Sequence, residues 1–72
     1  MSEKSIEHLV QMANQIVSNI PGATINDKIE SAATHMKNFW SPLMKRQIAE
    51  YIAEGGKELS PETIQALQKM AG

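Results

Sequence analysis

At 72 residues the chain has room for one domain, and an apolar fraction of 42% argues against disorder. It has no Cys, which excludes disulfides and thiolate metal sites; seven Lys and Arg against eight Asp and Glu leave a net charge of −1. The cations are scattered, so the basic stripe that nucleic-acid binding requires is missing, and no apolar run approaches the roughly 18 residues of a membrane span.

The opening MSEKSIEH does not read as a signal peptide, so a soluble, cytoplasmic protein is expected. Pro21-Gly22, Ser41-Pro42 and the run from Gly55-Gly56 to Leu59-Ser60-Pro61 divide the chain into four pieces of helical length. In the first, about residues 5–20, Ile6, Leu9, Val10, Ala13, Ile16, Val17 and Ile20 recur at three- and four-residue steps and share one face. Ser5 is its candidate N-cap. Met12 and Asn14 flank that stripe, while Gln11, Gln15 and Ser18 point away from it.

The second piece, about residues 27–39, places Ile25, Ile29, Ala32, Ala33, Met36, Phe39 and Trp40 on its apolar side, with Thr24 or Asn26 as cap. The third, about 42–54, opens on Ser41 as cap and Pro42 at the first helical position. Its stripe is Met44, Ile48, Tyr51 and Ile52, and Leu43 falls off it. Gly55-Gly56 end it. The fourth, about 61–71, is capped by Ser60, with Leu59 and Ile64 at the spacing of a hydrophobic staple. Its apolar face is thin, so it is expected to be the least stable. No segment alternates at period two. The expected fold is all-α: one domain over residues 1–72, a small bundle of three to four short antiparallel helices.

Chemistry is sparse. The nucleophile, dinucleotide, P-loop and zinc-helix motifs are absent. His8 and His35 lie on different helices, each with an apolar residue four positions on, and no Asp or Glu falls on an apolar stripe. No catalytic, cofactor-binding or metal residue is therefore assigned, and the chain is not expected to be an enzyme. The remaining signal is apolar. Phe39 is expected to close the interior where the second helix turns into the third, with Trp40 and Leu43 facing outward. Met12 and Met70, at stripe edges, add adaptable apolar surface. Trp40, Leu43 and Met44 form the expected centre of a partner contact, with Asn14, Gln15 and Arg46 as polar contacts. Three readings follow from these residues: a subunit docked on a larger protein, a free-standing homo-oligomeric interaction or regulatory protein, and, remotely, a DNA-binding helix-turn-helix whose third helix offers only Lys45, Arg46 and Gln47 near its start.

L-V-Q-M-A-N-Q-I over residues 9–16, Asn19, His35, Phe39-Trp40-x-Pro42-x-Met44, Gln47, Gly55-Gly56 and Leu59-Ser60-Pro61 together resemble the delta subunit of the soluble NAD-dependent, molybdenum-containing formate dehydrogenases. Two positions depart from that pattern: Ser41 stands where the family tends to have Asp, and Leu43 where it tends to have Arg. The resemblance implies a non-catalytic accessory subunit that contacts the molybdenum-containing alpha subunit and supports its stability or cofactor assembly. In such a complex a molybdenum–pterin centre oxidises formate, and electrons pass through iron–sulfur clusters and FMN to NAD. The resemblance implies no cofactor in this chain.

Overall fold

A computed structural model describes the chain over residues 3–71, with side chains over residues 6–71. Four helices fill it: α1 (Glu3–Asn19), α2 (Ile25–Phe39), α3 (Pro42–Ala53) and α4 (Pro61–Ala71). No strand occurs among the described residues. The fold is the expected small all-α bundle, 37 × 22 × 18 Å in extent.

The helix ends follow from local hydrogen-bond chemistry. The first backbone N–H groups of a helix lack intrahelical partners and need a side-chain acceptor. Thr24 supplies one to α2, its hydroxyl accepting from the Asp27 N–H at 3.1 Å. Ser41 does the same for the Met44 N–H at 3.2 Å, with Pro42 in the first turn of α3. Ser60 accepts from the Thr63 N–H at 3.1 Å and shares a 2.7 Å hydroxyl contact with Thr63. α1 already runs from Glu3, two residues before the start expected at Ser5, whose side chain lies outside those described.

Gly55 and Gly56 end α3 with paired reverse bonds. The Gly56 N–H donates to the Tyr51 carbonyl and the Gly55 N–H to that of Ile52, both at 3.0 Å. This is the Schellman arrangement, and it needs left-handed backbone. Gly55 sits at φ 127 and Gly56 at φ 62. Leu59 and Ile64 close over Gly56: a Cβ there would lie 3.8 and 3.5 Å from their methyl carbons.

The core gathers Leu9, Val10, Ala13 and Val17 of α1, Ile29, Ala32, Ala33 and Met36 of α2, Ile48 of α3, and Ala66, Leu67 and Met70 of α4. Trp40 and Leu59 join it from the connections. The largest interface is between α2 and α4, while α1 touches all three other helices. α2 and α3, although joined by only two residues, do not pack on each other. Among the described residues no solvent-excluded side-chain nitrogen or oxygen lacks a hydrogen-bond partner.

Four expectations are corrected. The apolar face of α4 is broader than the thin stripe expected: it buries Thr63, Ala66, Leu67 and Met70 and shares the largest interface, with α2, and small residues let helices approach closely. Met70 consequently belongs to the core, not to a surface edge. The Phe39–Trp40 pair is reversed: Trp40 is buried, whereas Phe39 is 74% exposed. The backbone explains the reversal. Trp40 caps α2 in extended conformation yet still donates its N–H to the Met36 carbonyl at 2.9 Å. At 3.6 residues per turn it lies about 20° from the direction of Ile29, and Phe39 about 80° away. Ile25, at the first position of α2, is also exposed rather than part of the stripe.

Candidate functional site

Among the described residues, large apolar side chains are exposed at Ile25 (51%), Phe39 (74%) and Leu43 (53%). Phe39 ends α2 and Leu43 lies in the first turn of α3, so two of the three flank one corner. Burial of the Trp40 indole between them fixes that corner from inside. A second tie holds it from outside, where the Lys45 ammonium donates to the Lys37 carbonyl at 2.7 Å. That carbonyl belongs to the last turn of α2, where partial negative charge collects and a cation is favoured.

The Phe39 ring is not loose on the surface. It lies against the His35 imidazole one turn earlier, with ring centroids 4.8 Å apart and planes tilted by 35°. Phe39 and His35 stand beside a shallow groove that Ile20, Thr34 and Asn38 also line. Glu30 lies on the same groove but is engaged, accepting from the Lys69 ammonium at 2.6 Å.

The residues expected to form a contact divide into three groups. Leu43, Met44 and Arg46 share the first turns of α3; Leu43 and Arg46 are exposed and Met44 is half-buried. Trp40 lies beneath this surface rather than on it. Asn14 is occupied inside the chain: its amide donates to the Glu58 carbonyl at 2.7 Å and accepts from the Ser60 N–H at 3.1 Å. It thereby ties the α3–α4 connection to α1. Gln15 is exposed and lines a different shallow groove with Met12, Ile16 and Asn19.

Phe39, like Ile25, lies on the surface although its place in the α2 stripe predicts burial. Its angular distance from the Ile29–Met36 line was the signal that separates it from Trp40. His8 and His35 are both exposed. No three His, Asp or Glu among the described residues are grouped to hold a metal ion. No helix among them is long and apolar enough to cross a membrane. What this corner offers is apolar contact with a cationic edge, on a backbone locked by the buried indole and the Lys45 tie.

No curated protein and no solved structure matches the chain. The family described as NADH-dependent formate dehydrogenase delta subunit, FdsD, matches residues 8–67, which run from the middle of α1 to the middle of α4 and include every corner residue above. The chain therefore belongs to the FdsD family of formate dehydrogenase delta subunits.

Proposed function

We propose that this chain is a non-catalytic accessory subunit that docks on the molybdenum-containing alpha subunit of its formate dehydrogenase through the α2–α3 corner. Binding supports the stability of that subunit or the assembly of its cofactor. The observation that carries the reading is the exposure of Phe39 and Leu43 on either side of a corner that is otherwise rigidly built. An exposed Leu alone means little. A chain with one Phe and one Trp that leaves the Phe almost uncovered has room for a partner to cover it. Met44 adds a half-buried, adaptable side chain next to Leu43. The molybdenum–pterin, iron–sulfur clusters, FMN and NAD belong on this reading to the other subunits. The delta subunit contributes contact area alone.

The test is co-purification of the alpha subunit with and without this chain, followed by molybdenum content and formate oxidation. The proposal requires a stable complex and a lower molybdenum content, or faster loss of activity, when the chain is omitted. An alpha subunit that neither binds the chain nor changes on its omission contradicts it.

A further inference from the structure

We propose that the surface received by the α2–α3 corner is an apolar recess bordered by carboxylates, and that Arg46 is the corner's cationic contact to it. This rests on the docking reading above and names the chemistry of the partner face.

The charge distribution carries the inference. Between Glu30 and Glu50 there is no acidic residue, and that segment holds Lys37, Lys45 and Arg46. The rest of the chain holds four Lys against all eight Asp and Glu, so a formal +3 over residues 31–49 stands against −4 elsewhere, with Glu30 and Glu50 at the two ends of that segment. The cations are not equivalent. Lys45 is committed to the Lys37 carbonyl, and Lys37 lies in the last turn of α2, where the helix dipole favours it. Arg46 is exposed and sits in the second turn of α3, where neither helix end supports its charge. It makes no ion pair among the described residues, where the ion pair present is Lys69–Glu30. Three positions separate it from Leu43, so the guanidinium and the exposed Leu share one helix face. An aromatic, an aliphatic and an unpaired Arg together are the composition of an interface centre. The planar guanidinium is best matched by a carboxylate.

A nucleic acid or an anionic membrane asks for several unpaired cations, and this corner supplies two at most. A second copy of the chain offers carboxylates of its own, on the groove of Ile6, Glu50, Tyr51 and Glu54. That alternative is decided by the experiment.

Binding of the full chain to the purified molybdenum-containing subunit is measured at low and high salt for the natural sequence, Arg46→Glu and Lys57→Glu. Both variants change net charge equally, and Lys57 lies on the α3–α4 connection away from the corner. The expected result is that Arg46→Glu weakens binding about tenfold or more and removes most of its salt dependence. Lys57→Glu stays within about twofold. Equal affinity for Arg46→Glu and the natural chain overturns the inference while leaving the docking reading intact. So does an equal loss in both variants, or binding indifferent to salt. Failure of the natural chain to bind the subunit overturns both. Sedimentation of the free chain adds the last outcome: a dimer dissolved by Arg46→Glu assigns the corner to self-association and overturns the inference.

Discussion

Removing the indole of Trp40 opens a void beneath the α2–α3 corner, because that side chain is 5% exposed and packs with the core. Trp40→Ala is expected to cost about 3–5 kcal/mol in urea unfolding of the isolated chain. Phe39→Ala, one position earlier, is expected to stay within about 1 kcal/mol, since its ring touches His35 on the surface. The reverse ranking would show that the core assignment is wrong. Asn14 supplies a second test at this scale. Asn14→Ala removes two bonds at the α3–α4 connection and should cost about 1–3 kcal/mol, with faster hydrogen exchange at the Ser60 amide. An unchanged exchange rate would mean the tie is unimportant in solution. Neither role was fully open to sequence reading. The Phe39–Trp40 distinction was legible from helical angle, but size and position at a helix end pulled the other way. The Asn14 partners lie more than forty residues along the chain, and no local pattern announces them.

Helix punctuation was written plainly. Thr24, Ser41 and Ser60 accept from the backbone at the starts of α2, α3 and α4, where the sequence supplies a hydroxyl before a helical stripe, whereas Ser5, read the same way, lies inside α1. Pro42 and Pro61 open their helices, and Gly55-Gly56 close α3. The weight of α4 was not legible. Its stripe contributes few large side chains, and its value comes from the burial of Thr63, Ala66, Leu67 and Met70 and from a broad interface with α2. Two substitutions test the α3–α4 connection. Gly56→Ala forces a Cβ onto left-handed backbone and should destabilise by about 1–2 kcal/mol. Glu58 holds φ 68 without being Gly, so Glu58→Asn should stabilise by a few tenths to about 1 kcal/mol, read as a rise in the thermal midpoint. A fall in that midpoint would contradict the local strain. The exposed Lys69–Glu30 pair joins α4 to α2, but its exposure limits it to about 0–1 kcal/mol. Lys69→Met should accordingly leave the α2–α4 interface intact.

Taken whole, the described residues form four helices, the chain has no Cys to cross-link them, and the accessible surface is 4764 Å². A standard stable interface covers about 800 Å² per partner, about a sixth of that surface. On the docking proposal, Phe39 and Leu43 are the centre of a footprint that takes in flanking polar groups as well. The helical class was readable from periodicity, and the family from residues spread across all four helices. Which helix packs on which was not, because α2 and α3 are sequence neighbours that turn away from each other and leave their corner open. The most direct test of the docking account is the affinity of Phe39→Ala/Leu43→Ala for the molybdenum-containing subunit, measured beside its unfolding midpoint. The account predicts near-unchanged folding with binding weakened by at least ~2 kcal/mol, about thirtyfold in Kd. Full affinity in a variant stripped of both side chains would contradict it.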